Sequence, residues 1–137
     1  MIGIILMSHG KMSEGMLDSS KLFFGEVEKV KALCLEAGDN PEEFDKKIAD
    51  AAKELDDGSG VIALCDMLGG TPSNRSMYVL NDRLQVITGM NLTMYLELLG
   101  NRMSVETIDE LDLDALVETG KNGIVSLNKM VKSMSNQ

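Results

Sequence analysis

The chain has no tryptophan, one histidine, two prolines and two cysteines in 137 residues, and aromatic side chains make up only 4% of it. Positive charge is also scarce. Thirteen Lys and Arg stand against 22 Asp and Glu, a net charge of −9, which argues against a stripe able to neutralise several phosphates and so against nucleic acid or an anionic membrane surface as partner. Cys34 and Cys65 lie singly inside apolar stretches. With no CxxC pair and no histidine cluster, they read as buried thiols, and no metal site or cofactor is implied. The longest apolar run, MIGIILM at the N-terminus, is far short of the ~20 residues that span a bilayer. The first lysine, Lys11, follows that run instead of preceding it, so the run does not read as a secretory signal and a cytoplasmic location is expected. No Walker string and no GxGxxG follows the first apolar run, so nucleotide has no visible cradle. The 11 methionines are expected to fill a core poor in aromatics, with a soft recognition surface as the other reading.

At 44% hydrophobic and 26% charged, the chain is composed like an ordinary soluble domain, and one compact domain over residues 1–137 is expected. Its organisation lies in alternating periods. Residues 2–7 (IGIILM) form a continuous apolar run suited to a strand buried on both faces, and SHG at 8–10 closes it with a turn. Met12, Met16, Leu17, Phe23 and Phe24 then recur at helical spacing up to Gly25. Val30–Leu35 reads as a second strand. Asn40, Pro41 and Glu43 open a helix expected to run to Leu55 with Phe44, Ile48, Ala51, Ala52 and Leu55 inward and Gly58 as its cap. Val61–Cys65 is the third strand, and Thr71 with Pro72 starts a third helix carrying Met77, Val79 and Leu80 inward. Leu84–Thr88 is the fourth strand. Asn91 caps a helix through Leu92, Leu96 and Leu99, and one further helix is expected through Ile108, Leu111, Leu116 and Val117 to Gly120. In the tail, Ile124, Val125 and Leu127 fit either a helix or an edge strand.

Strands alternating with helices imply right-handed crossovers and a doubly wound α/β domain with a mainly parallel sheet covered on both faces. With the order 2-1-3-4, the strand order reverses between strands one and three. Ligands bind in the crevice beyond the carboxyl ends of such a pair, which here is flanked by SHG at 8–10 and DMLGGTP at 66–72.

His9, the only histidine, stands at that point. A loop histidine with no task is the plain alternative. Imidazole, however, offers a neutral nucleophilic nitrogen at cellular pH, and Asp66 at the end of strand three can hold one ring N–H and direct the other nitrogen outward. Taken alone, Asp66 could be a simple turn residue. Gly69, Gly70 and Thr71 precede a helix start, where unpaired amides suit a phosphoryl dianion, although glycine pairs before helices are also ordinary turn chemistry. Ser8 adjoins His9 but points to the opposite face of a strand, so the two do not form a nucleophile and base.

These residues resemble the IIA component of the mannose-type branch of the bacterial phosphoenolpyruvate-dependent sugar phosphotransferase system. The resemblance rests on the first strand running into SHG with His9, on DMLGGTPSN from Asp66 to Asn74, on GMN at 89–91 and on ETGKNGI from Glu118 to Ile124. It implies that His9 takes a phosphoryl group from the phosphohistidine of HPr and hands it to a IIB component, which phosphorylates the sugar. It further implies that Asp66 orients the histidine, that Gly70 and Thr71 receive the phosphoryl oxygens, and that membrane IIC and IID components associate indirectly. A homodimer is implied, in which the segment near 122–128 adds an antiparallel edge strand to the partner's sheet. The chain reads as a standalone IIA subunit. Three alternatives stay open: the phosphotransfer subunit that feeds dihydroxyacetone kinase, a small tetrapyrrole metal chelatase, and a regulatory module read in its phosphorylated state.

Overall fold

Ile4, Ile5, Leu6 and Met7 are wholly buried on alternate faces of one strand, each contributing about 1.5–3 kcal/mol by leaving water. That requirement places β1 (Gly3–His9) at the centre of the sheet. The computed structural model describes residues 1–136. β1 pairs in parallel with β2 (Val30–Leu35) on one side and β3 (Val61–Cys65) on the other, and β3 pairs in parallel with β4 (Leu84–Ile87). The order is β2-β1-β3-β4, the 2-1-3-4 order expected above.

Each face of the sheet has its own core. Ile4, Leu6, Ile62, Leu64 and Ile87 pack beneath α1 (Met12–Phe24), α4 (Leu92–Asn101) and α5 (Leu113–Asn122). Ile5, Met7, Ala63, Cys65 and Leu84 pack beneath α2 (Pro41–Leu55), whose Phe44, Ile48, Ala51 and Leu55 are buried. α3 (Thr71–Ser76) lies beside α2. The two crossovers on opposite faces diverge from between β1 and β3, which opens the crevice there.

Local signals place most helix starts. The Asn40 side chain accepts from the Glu42 N–H at 2.9 Å and Pro41 takes the first helical position. Asn91 accepts from the Met94 N–H at 2.8 Å.

Elsewhere the fold departs from the periodic reading. α1 turns Ser13, Met16, Leu17 and Ser20 to the sheet, so Leu22 and Phe23 face solvent and Phe24 is half-exposed. α3 is only six residues long, because the hydroxyls of Ser73 and Ser76 bond back to the carbonyls of Gly70 and Ser73 and the chain then turns. Val79 packs inward, whereas Met77, Tyr78 and Leu80 are exposed. The single helix expected from Ile108 to Gly120 is two elements. A 3-10 turn over Ile108–Glu110 precedes α5, and Asp112 restarts the helix by accepting from the Ala115 N–H at 2.9 Å. The tail forms α6 (Leu127–Ser135), capped by Ser126, and residues 124–126 belong to no strand of this single chain. The Ser126 side chain accepts from the Lys129 N–H and starts the helix there. Among the described residues α6 buries no side chain. The methionines divide: Met7, Met90 and Met94 are core, while Met67, Met77, Met103 and Met134 are exposed.

Two polar clamps close the amino ends of the strands. Arg102, buried at the end of α4, donates to the carbonyls of Ile2 at 2.9 Å and Glu28 at 2.6 Å. Burial pulls its guanidinium below its ordinary range. Asp56 stands at the C-terminal cap of α2, a place the sequence reading assigned to Gly58, and accepts from the Gly58 and Gly60 N–H groups and from Arg83.

The Arg83 hydrogen bond is the main reason that the Asp56 carboxyl lies at about 2; burial opposes it, and the two glycine amides and the Arg83 charge assist it. A carboxyl depressed in the folded state stabilises fully above its unfolded value of about 3.9 and loses that contribution as pH falls through its folded value. Asp56→Asn is therefore expected to lower stability at pH 7 by about 1–2 kcal/mol. In urea titrations, its deficit against the wild-type chain should close between about pH 4 and pH 2.

Candidate functional site

His9 and Asp66 meet because β1 and β3 are neighbours that end at the same edge of the sheet. The Asp66 amide continues the pairing by donating to the Met7 carbonyl at 3.1 Å. From there, one carboxylate oxygen, Oδ2, accepts twice from His9: from its backbone N–H at 2.9 Å and from its ring Nδ1 at 2.7 Å. The other oxygen accepts from the Met67 N–H at 2.9 Å. An ionised carboxylate can only accept, so in the neutral imidazole the proton resides on Nδ1 and the lone pair on Nε2.

Exposure divides the pair by task. The imidazole is 45% exposed and the carboxylate side chain 9%. Burial pushes the Asp66 carboxyl upward and is the largest single influence, yet the His9 backbone N–H, the His9 ring and its charge, and the Cys65 thiol together outweigh it and hold the group below the usual carboxylate range. Asp66 is thus a fixed negative charge behind a half-exposed ring. Cys65, buried in the next position, has its thiol pushed up to about 12, chiefly by burial. It stays protonated and serves as packing and a weak donor to Asp66.

The 66–72 loop brings α3 against the far side of the ring. A Cβ built on Gly70 would stand 2.5 Å from His9 Cε1 and 3.1 Å from Nε2. The backbone at Gly70, with φ −84° and ψ 168°, is one that any residue adopts. The imidazole, with Met67 Cγ at 3.3 Å from the same point, is what demands glycine there. Among the described residues, the amides of Gly70 and Thr71 make no hydrogen bond. The Gly69 amide, by contrast, is taken by the Ser73 hydroxyl at 3.0 Å. Of the three loop residues singled out for phosphoryl contact, Gly70 and Thr71 keep their N–H groups open and Gly69 does not. Ser8 is wholly buried, on the other face of β1, and its hydroxyl donates to the Gly10 carbonyl at 3.1 Å. It is not a nucleophile. Among the described residues, no three His, Cys, Asp or Glu side chains gather as a metal site.

Residues 3–116 match the profile of the EIIA-man family, the PTS system fructose IIA component. The chain belongs to this family. It is 33% identical over 128 residues to the PTS system mannose-specific EIIAB component of Escherichia coli (strain K12), an alignment covering 92% of this chain and 39% of that protein. It therefore spans well under half of that relative. The PTS system fructose-specific EIIA component of Bacillus subtilis (strain 168) is 30% identical over 114 residues, 82% of this chain and 78% of that one. A solved structure of phosphotransferase system component EIIA from Streptococcus agalactiae superposes with a TM-score of 0.82 at 29% identity, covering 94% of this chain and 99% of that one. Among the described residues of this EIIA family member, no helix is long and apolar enough to cross a membrane.

The Gly70 contact gives a direct test of the site geometry. In Gly70→Ala the imidazole must move by several tenths of an ångström or more, so the Nδ1 bond to Asp66 should be lost while the fold remains. Ring 15N shifts should then move from one fixed tautomer toward a mixture, and a spectrum unchanged from wild type would disprove the close contact.

Proposed function

We propose that the chain, as one unit over residues 1–137, relays phosphoryl groups in sugar uptake by becoming phosphorylated on His9. The observation that carries this reading is an imidazole whose Nδ1 is held by a carboxylate while its Nε2 lies against Gly70, where the Gly70 and Thr71 amides make no hydrogen bond. In the proposed step, the Nε2 lone pair attacks the phosphorus of a phosphohistidine on the carrier protein HPr. The new N–P bond forms as the old one breaks, and the departing imidazole of HPr keeps that electron pair. Asp66 balances the positive charge that the phosphorylated ring acquires, without taking its proton. The Gly70 and Thr71 amides receive the phosphoryl oxygens, and in-line transfer needs no metal or nucleotide from this chain. The reverse geometry passes the group to a IIB component, which phosphorylates the sugar.

Met12, Met67 and Leu68, on the segments that follow His9 and Asp66, are exposed and suit a soft apolar rim on which both partners dock. The strongly acidic balance favours partners with a basic face. This reading takes the protein as cytoplasmic and as a homodimer. The exposed apolar segment Ile124, Val125 and Leu127 is the part available to add an edge strand to a second copy, and IIC and IID associate only through IIB. A chelatase would need further metal ligands beside His9, and the chain has no second histidine to supply one. A subunit feeding dihydroxyacetone kinase would use the same step.

Incubation with phosphoenolpyruvate, enzyme I and HPr should add one acid-labile phosphoryl group by intact mass, and His9→Ala should abolish it. No gain in the wild-type chain would sink the relay. Asp66→Ala should slow the uptake by about 10²-fold, the usual cost of a misplaced reacting group, and an unchanged rate would remove its orienting role. Met67→Lys or Leu68→Lys should raise the KM for HPr with little change in kcat. Transfer indifferent to these charges would refute the rim.

A further inference from the structure

His9 is followed at once by a turn, and what holds that turn lies on the opposite face of the strand. Gly10 has φ +56°, a left-handed conformation that glycine adopts without steric cost. Beyond it, α1 begins at Met12 with Lys11 as its N-cap, and Lys11 makes no capping hydrogen bond from its side chain. The task falls instead to Ser8, which precedes the histidine. Its hydroxyl accepts from the Ser13 N–H at 2.9 Å, satisfying a first-turn amide of α1, and donates to the Gly10 carbonyl at 3.1 Å. Ser8 and Ser13 are both wholly buried, so water cannot replace the bond between them, and it leaves the Ser8 hydroxyl no partner but the partly exposed Gly10 carbonyl. The Ser13 hydroxyl turns away from this loop and donates to the Leu33 carbonyl at 3.0 Å, with the Cys34 sulfur at 3.2 Å.

We propose that Ser8 is a positioning residue of the phosphoryl relay, its buried hydroxyl tying the turn after His9 to the first turn of α1 and so setting how the imidazole meets Asp66 and Gly70. The inference rests on His9 being the phosphoryl acceptor. The argument is one of tolerance. Both the backbone N–H and the ring of His9 converge on a single oxygen of Asp66, and the ring leaves no room for a methyl group on Gly70. Such a ring is held between two walls, and a small rotation of the His9–Gly10 peptide breaks one contact or closes the other. β1 fixes His9 from the amino side by its pairing with Leu35, and the Gly10 N–H holds the Leu35 carbonyl at 2.7 Å. On the carboxyl side, the Gly10 carbonyl has the Ser8 hydroxyl.

The test compares Ser8→Ala, Ser8→Thr and Ser13→Ala in the full chain, with thermal melting to confirm that each folds. Ser8→Ala removes the tie; Ser8→Thr keeps a hydroxyl; Ser13→Ala removes a buried hydroxyl next to the tie but leaves the Ser13 N–H in place. In the unphosphorylated protein, the His9 Nδ1 proton should exchange with water about tenfold faster in Ser8→Ala, as expected when a positioned ring loosens, and at the wild-type rate in the other two. In transfer from phosphorylated HPr, kcat should fall by about tenfold or more in Ser8→Ala with KM unchanged. Wild-type proton exchange in Ser8→Ala, or an equal acceleration in Ser13→Ala, would overturn the assignment. Should the wild-type chain take up no phosphoryl group at all, the relay falls, and the ring-proton comparison still decides whether Ser8 positions His9.

Discussion

One oxygen of Asp66 holds the site together. By accepting from both the backbone and the ring of His9, it fixes the position of the histidine and the tautomer of its imidazole in a single arrangement. The carboxylate is mostly withdrawn from water, where a charge without partners would be costly. Its hydrogen bonds compensate for that desolvation, so the group is ionised and oriented. This works only because β1 and β3 are adjacent and parallel and end together. The chain enters the sheet at its centre, crosses one face to reach β2, and returns across the other face to β3. A pair of residues 57 positions apart in sequence becomes a hydrogen-bonded unit as a consequence of crossover handedness.

The faces of the central strand have separate duties. Ile5, Met7 and His9 share the face under α2 and α3, where the candidate site lies, and Ile4, Leu6 and Ser8 share the face under α1, α4 and α5. A period of two thus puts a catalytic candidate and a buried structural hydroxyl side by side in sequence yet back to back in space. The shortness of α3 belongs to the same economy of position. Its serines bond to their own turn, which keeps Gly70 against the ring and leaves the Met77 and Tyr78 side chains in solvent.

How much of this could be read from the residues depended on the range of the interaction concerned. The bounds of β2, α2 and β3 were legible because Asn40 and Pro41, and the short apolar runs, act within a few residues of themselves. Met77 and Leu80 were read as core and are exposed, as is Phe23 of the apolar pattern of α1. Hydrophobicity at a helical period says that a face exists, whereas its rotation and length are set by what it meets. The restart of the helix at Asp112 had a visible signal, an N-cap residue inside an apolar pattern, which the stronger periodicity of Ile108, Leu111 and Leu116 concealed. Arg102 had none. Its partners are carbonyls about 70 to 100 residues away, and a buried arginine with no carboxylate leaves no trace in local pattern.

His9 and Asp66 were identifiable from sequence because a histidine and an aspartate at the ends of two buried strands have few other places to go once the strand order is inferred. The alternation of apolar runs with capped helices determined the α/β class and the parallel sense of the sheet, since both follow from local periodicity and the handedness of an L-polypeptide, and with the order 2-1-3-4 it placed the residues at the crevice. The tertiary structure alone decided which ring nitrogen is held, that the Gly69 amide is spent on Ser73 while those of Gly70 and Thr71 stay open, and that Gly70 must lack a side chain. Those facts are set by contacts of a few ångströms between segments far apart in the chain, and distances of that kind exist only after the sheet has closed around β1.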